Sequence, residues 1–472
     1  MTTLQRAIEA LRQQPLPSTA KGLGRLALRP AAPGPVTAAS LAADRPSLFD
    51  PELTMPLMVL REAAVAHNIA AMASYCAAAG VRLAPHGKTT MAPQLFARQL
   101  KAGAWAITAA TISEVQVCRE FGVQRVLLAN ELTDRAAAGW LAAEMAADPG
   151  FDCYVYADSL DGVRLLEAGL QQAGGSGPAD AGGVGLAEAG RAGVAEAGRA
   201  GRAGPGPGRP LPVLVELGQR GGRAGCRSIA EALAVASAVA AAPALRLAGV
   251  AGYEGSIGHD RDPATLAAMA SFCRELRTLA GLLPHAPSGR GGPGGQNEYL
   301  VSAGGSSFFD VVVHELTADN GSGPAPPVVL RSGAYVTHDH GFYARLTPAE
   351  QPGGSGPALR PAIELWARVL STPEPGLAIA DAGRRDASFD QGLPVPLRIR
   401  RPDGQTCDAA GLRVTKLDDQ HAYLQVPADC ELRPADLVCL GISHPCTAFD
   451  KWQLIPVVDE EYRIVDVIRT FF

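Results

Sequence analysis

A lysine, a glycine–serine turn and a histidine–cysteine pair are the residues whose types and spacing could do chemistry in this chain. Lys88 stands in PHGKTT (85–90), directly after the apolar run Val81–Ala84. A lysine ending an apolar strand, in a loop rimmed by proline and glycine, is expected in a low-dielectric cavity that disfavours its charged form. A neutral amine is a nucleophile towards an aldehyde cofactor and afterwards a base. The same position also suits a lysine that binds phosphate or closes a salt bridge. SAGGSS (302–307) has the makings of an anion site. Its two glycines let backbone N–H groups approach closely and its serines add donors. FFDVVVHEL then begins a helix whose positive end would face the anion. Read alone, it also fits a simple turn.

The third candidate is His444-Pro445-Cys446, within GISHPCTAFDKW (441–452). On an extended backbone, residues two apart point to one face. His444 and Cys446 could then reach one ion, and imidazole plus thiolate suits zinc. Two protein ligands leave positions for water and substrate, the arrangement of a catalytic site. An H-x-C also arises by chance. His338 and His340 in THDHG form a rival pair, or are polar loop histidines, and His421 in DDQH is similarly open.

These residues need a scaffold. From about residue 56 the chain alternates β-like runs with helical patterns, beginning with PLMVLR (56–61) and the helix-like stretch after it. Eight further β candidates follow: Val81–Ala84, Ala106–Thr108, Arg125–Ala129, Cys153–Ala157, Val213–Leu217, Leu245–Gly252, Tyr299–Ser302 and Val328–Arg331. Apolar residues at helical spacing fill most of the intervals. Eight β/α units predict a closed (β/α)₈ barrel. An open doubly wound sheet competes, but no G-x-G-x-x-G follows the first strand. Functional groups of a barrel sit where strands end. Those positions hold Pro85 to Thr90, Glu216 to Gly225, Tyr253 and Glu254, Ser302 to Ser307, and Ser332 to Tyr335. Segments 171–210 (with LAEAGRAG and VAEAGRAG), 286–296, 320–327 and 352–357 read as Gly/Pro-rich disordered insertions. From 358 to 472, β-like runs between Pro, Gly and Asp turns predict an all-β domain. The barrel is expected over 52–350, with 1–51 packing on the β domain.

Composition narrows the function class. A net charge of −5 over 472 residues provides no basic stripe for nucleic acid. No apolar run reaches the roughly 18–20 residues of a membrane span. The start lacks a signal peptide's order of basic then apolar residues, so a cytoplasmic protein is expected. Nine cysteines without a CxxC pair read as reduced thiols. Of 42 basic residues only five are lysines, which singles out one retained beside an apolar run.

PHGKTT, an Arg-x-Gly after a Glu-containing strand, SAGGSS, SGAY and GISHPCTAFDKW occur in this order. Together they resemble the fold-type III pyridoxal phosphate family of D-serine dehydratase, D-threo-3-hydroxyaspartate dehydratase and D-threonine aldolase. The likeness covers roughly residues 52–472, insertions excluded. It implies an alanine racemase-like barrel followed by a β domain, in a homodimer whose active site lies between subunits. Lys88 would be the Schiff-base lysine. Ser306, Gly333 and Ala334 would bind cofactor phosphate, Tyr253 would line the cofactor and Arg223 would partner its ring. His444 and Cys446 would hold zinc, or manganese in the cell. Ala334 stands where relatives often carry Asn, so only its backbone contribution carries over. Gly218 stands where many carry Asp.

His-x-Cys resembles the dehydratases of this family, and D-threonine aldolases more often show His-x-Asp. The implied activity is β-elimination of water from a small D-3-hydroxy amino acid, D-serine above all, giving 2-oxo acid and ammonia. Retro-aldol cleavage of D-threonine uses the same lysine, cofactor and metal. Racemisation needs a second base and no metal. A non-catalytic pyridoxal phosphate-binding protein is the reading from another class, and a metal pair has no use in it.

Overall fold

Val, Leu and Ala crowd the strand candidates of the first three hundred residues. In the computed structural model most of these are strands buried on both faces, as parallel strands covered by helices must be. The structure describes residues 2–23, 34–175, 209–283, 298–318, 326–351 and 354–472, with 172–175 as backbone only. Most of each of the expected insertions 171–210, 286–296 and 320–327 lies outside these residues, and of 352–357 only 352 and 353 do. The chain divides into two units. One comprises Met1–Ala7, Ala73–Lys88 and Gly103–Gly333, and the other Ile8–Met72, Thr89–Ala102 and Ala334–Phe472.

The strands of the first part of the chain are β1 (Leu57–Arg61), β2 (Arg82–Leu83), β3 (Ile107–Ala109), β4 (Arg125–Glu131), β5 (Asp152–Ala157), β6 (Leu211–Leu217), β7 (Leu245–Gly252), β8 (Leu300–Ala303) and β9 (Val328–Leu330). In the first unit, β2 to β9 form one parallel sheet in the order β2-β9-β8-β7-β6-β5-β4-β3. Its two edges meet. Trp105 N–H donates to Leu83 O at 2.7 Å, Thr108 N–H to Pro85 O at 2.9 Å, and His86 and Thr108 bridge in parallel. All eight expected barrel strands are present, and the sheet is closed.

Small and large apolar side chains from different strands fill one core: Ala84, Leu127, Tyr156, Leu214, Ala251 and Leu300 are among its members. Gly249 permits the approach of β7 to β8. Its φ is +140°, and a Cβ there would lie 1.8 Å from Leu300 O. Side-chain caps begin the helices between strands. Thr111, Asp134, Ser228 and Asp262 accept N–H bonds from the first turns of Ile112–Glu120, Arg135–Ala147, Ile229–Ala241 and Pro263–Leu282.

The second unit is a mainly antiparallel sheet. To β1 it adds β10 (Ile363–Glu374), β11 (Leu377–Ala380), β12 (Val395–Arg400), β13 (Thr406–Asp408), β14 (Arg413–Leu417), β15 (Ala422–Gln425), β16 (Leu437–Gly441), β17 (Leu454–Val458) and β18 (Ile464–Arg469). The main order is β13-β12-β16-β10-β1-β17-β18, and β11, β15 and β14 extend from β10. The expected barrel span of 52–350 is corrected at its start: β1 pairs antiparallel with β10 and parallel with β17. Its four buried residues give a continuous apolar run, which looks the same in a parallel barrel and in the middle of a covered sheet. Residues before β1 bond within this unit too: Leu48 N–H donates to Tyr462 O and Ile464 N–H to Pro46 O. Among the described residues, no helix is long and apolar enough to cross a membrane.

Candidate active site

Parallel strands share one carboxyl end, and this geometry collects the barrel candidates. Lys88 lies in the turn Gly87–Thr89 after β2, Arg223 in the loop after β6, Tyr253 directly after β7, Ser306 after β8 and Gly333 after β9. Two pairs among them touch. The Arg223 guanidinium lies 4.6 Å from the Tyr253 ring centroid, and Gly333 N–H donates to Ser306 Oγ at 3.2 Å. Tyr253 lies against Gly305, where a Cβ would meet its Cε2 at 3.0 Å. Ala334 falls in the second unit, buried at the head of the turn Ala334–Val336.

Two expectations at the barrel end are corrected. Lys88, in the turn Gly87–Thr89 after the very short β2, is exposed rather than enclosed. The amides of Gly304 and Gly305 are not free for an anion. The buried Glu254 carboxylate accepts both, at 3.1 and 2.7 Å. The other anion candidates at this end are Ser306 and Gly333, which bond to each other, and the start of the helix Phe309–Thr317, which has no side-chain cap.

Sequence reasoning passed over Arg331 and Glu131 here, and gave His86, on view in PHGKTT, no role. Arg331, at the end of β9, is buried and donates to Ser302 Oγ at 2.8 Å and Gly252 O at 2.7 Å. His86 is held well below its usual pKa, first by burial and then by Lys88, Arg331 and Arg223. It is therefore neutral, although a hydrogen bond with the Thr108 backbone works the other way. Glu131, ending β4, hydrogen-bonds Glu216 of β6. Burial and the neighbouring carboxylate raise Glu131, and burial raises Glu216, so the pair holds a proton. Their common signal is an ionisable residue within or just beyond the end of an apolar strand.

The second unit holds the other cluster. His444 is extended, with φ −159°, and Pro445–Thr447 is a single 3₁₀ turn. A turn, not strand alternation, therefore brings Cys446 to His444, and the two side chains hydrogen-bond. His444 Nδ1 lies 2.7 Å from Asp390 Oδ2, and Thr447 Oγ1 donates to Asp390 Oδ1 at 2.6 Å. Cys446 Sγ lies 3.4 Å from Thr89 Oγ1 and 3.9 Å from Tyr343 Oη. Burial works against the charged imidazole of His444, but Cys446 and Asp390 outweigh it and raise its pKa to about 9. The donor set fits a cation, since a carboxylate on one ring nitrogen leaves the other for a metal. No group of three or more His, Cys, Asp or Glu that could hold a metal exists among the described residues. Two protein ligands are what this site offers.

The rival histidines stand in different surroundings. Burial depresses His338 and His340 to about 4. A Cβ on Gly441 would lie 2.5 Å from His340, so that ring is sealed against β16. His421 is exposed.

Residues 362–458 match the family described as "Putative serine dehydratase domain". The chain is 24% identical over 357 residues to 3-hydroxy-D-aspartate aldolase of Paracoccus denitrificans (strain Pd 1222), covering 74% of this chain and 77% of that protein. Among solved structures, D-threonine aldolase from Filomicrobium marinum superposes with a TM-score of 0.67 at 24% identity, over 89% of this chain and 95% of that one. D-threo-3-hydroxyaspartate dehydratase from Delftia sp. HT23 gives 0.63 at 19% identity, over 89% and 98%. D-threonine aldolase and D-threo-3-hydroxyaspartate dehydratase are among the enzymes that the sequence motifs resemble. An alanine racemase-like protein from Idiomarina loihiensis shares the fold, with a TM-score of 0.63 at 15% identity over 88% of this chain and 96% of that one.

Proposed function

We propose that this chain is a pyridoxal phosphate- and zinc-dependent dehydratase of D-3-hydroxy amino acids. The observation that carries the reading is the cation-rich barrel end of the first unit, and the second unit by itself adds a hydrogen-bonded His–Cys turn. Arg223, Arg331 and Lys88 surround the neutral His86, an environment suited to an anionic cofactor. Ser306 and Gly333, with the Ala334 backbone, would hold its phosphate, and Tyr253 with Arg223 would flank its ring. Pyridoxal phosphate, when bound, supplies an electron sink for the pair left at the α-carbon, and zinc supplies Lewis acidity towards a hydroxyl.

The chain's own groups do the rest. Lys88 would hold the cofactor, and its amine would take the α-proton of the bound amino acid. His444 and Cys446 would hold the metal, with Asp390 orienting the imidazole. Loss of the α-proton and then of the β-hydroxyl as water leaves an unsaturated amine, which hydrolyses to a 2-oxo acid and ammonia. D-Serine would give pyruvate.

Retro-aldol cleavage is the second reading, favoured by the aldolase name of the Paracoccus relative. There a base takes the hydroxyl proton and the Cα–Cβ bond breaks, giving glycine and an aldehyde. Incubation of the cofactor- and zinc-loaded protein with D-serine and D-threonine separates the two. Ammonia with 2-oxo acid in equal amounts supports the dehydratase. Glycine with aldehyde and no 2-oxo acid overturns it.

A further inference from the structure

We propose that Asp390, Thr89 and Tyr343 are positioning residues of the metal pair, Asp390 setting which nitrogen of His444 binds and the two hydroxyls setting the donor strength of the Cys446 sulfur. This rests on His444 and Cys446 being metal ligands.

The imidazole comes first. An ionised carboxylate only accepts hydrogen bonds, so Asp390 Oδ2 at 2.7 Å from Nδ1 places the ring proton there and leaves the lone pair on Nε2. Thr447 Oγ1 donates to the other oxygen at 2.6 Å, which fixes the carboxylate plane. Asp390 thus orients the imidazole without being a ligand.

The sulfur comes second. A metal-bound thiolate has no proton to give, so hydroxyls beside it can only donate. Thr89 Oγ1 at 3.4 Å and Tyr343 Oη at 3.9 Å stand in that relation to Cys446 Sγ. Each bond draws electron density from sulfur, and a thiolate that donates less leaves the metal a stronger Lewis acid.

Tyr343 is held in place by more than its ring. The buried Asp339 carboxylate accepts N–H bonds from Gly341 at 2.9 Å, Tyr343 at 3.0 Å and Ala344 at 3.2 Å, which starts the helix Phe342–Leu346. The same segment is pinned to the strand end that carries His444. His340 N–H donates to Ile442 O and Phe342 N–H to Ser443 O, both at 2.9 Å. Gly341 makes that approach possible, since a Cβ there would lie 2.8 Å from Ser443 Cα.

The test uses the full chain and reads metal rather than turnover. Zinc affinity is measured by competition with a chromophoric chelator, and the cobalt(II)-substituted protein gives the sulfur-to-cobalt charge-transfer band. Asp390→Asn is expected to weaken zinc by roughly 10–100-fold, the usual cost of losing such a partner. Thr89→Val and Tyr343→Phe are expected to keep one metal per chain and to move the band to lower energy, as sulfur becomes the better donor. Wild-type affinity in Asp390→Asn, or an unmoved band in both hydroxyl variants, overturns the proposal while the ligand assignment stands. If His444→Ala and Cys446→Ala bind zinc like the wild type, the ligand assignment fails and the proposal with it.

Discussion

The barrel end and the His–Cys turn are opposites in charge and in construction. At the barrel end, Lys88, Arg223 and Arg331 surround a neutral histidine, contributed by separate strands whose only common feature is their parallel direction. At the turn, a carboxylate, a thiol and an imidazole come from a short stretch of chain and one loop, with hydroxyls beside them. On the proposed reading the first receives an anion and the second a cation. The comparison teaches that each site is recognisable from charge alone, but for different reasons. The barrel gathers its residues by parallel topology. At the turn only His444 and Cys446 are neighbours in sequence, and Asp390, Thr89 and Tyr343 are brought to them by the fold.

The comparison breaks most sharply at Lys88. Lys88→Ala is expected to abolish the visible absorption of lysine-bound pyridoxal phosphate and to lower turnover by roughly 10³–10⁴-fold or more, the scale of losing an essential base. Zinc affinity at the turn is expected to be unchanged. Cys446→Ser tests the opposite arm. Zinc binding and turnover are expected to fall by more than about 10²-fold, beyond the cost of an outer partner, with the cofactor absorption retained. A variant that lost both signals would show that the two regions are not separable.

Smaller effects sharpen the picture of the barrel end. Glu254→Ala leaves two glycine amides without their acceptor, which costs about 1–3 kcal/mol in a buried setting. A lower thermal midpoint and weaker retention of pyridoxal phosphate on dialysis are expected together. Glu131→Gln probes the carboxyl pair through pH. A carboxyl raised in the folded state binds its proton more tightly there than in the unfolded chain. Its stabilisation is complete at acid pH and is lost as pH climbs from the ordinary carboxyl range through the raised one. The variant is expected to flatten the acid-to-neutral decline in thermal stability, by a difference of order 1 kcal/mol. An unchanged slope would remove the pair from the account.

Legibility differed between the two units. The eight barrel strands are visible because Val, Leu and Ala runs recur with helical stretches between them. The strands β12 and β13 escaped notice because VPLRIR carries a proline and two arginines, and TCD is exposed. Only pairing explains β12: Arg398 reaches the Glu364 carboxylate at 2.6 Å, and the strand bonds to β16. Glu254 was on view as a strand-end residue, but nothing in the sequence says that its carboxylate faces two glycine amides fifty residues on. Asp390 was invisible for the same reason, fifty-four residues from His444.

Sequence by itself determined which groups this protein has for chemistry and which of them stand at the ends of apolar strands, because residue type and periodicity are local properties. Tertiary structure alone decided where β1 belongs, which amides are already occupied, how exposed Lys88 is and which carboxylate holds His444. The physical reason is that hydrogen bonds and burial depend on what the folded chain brings alongside, and a polar group's availability is fixed only once its neighbours are in place.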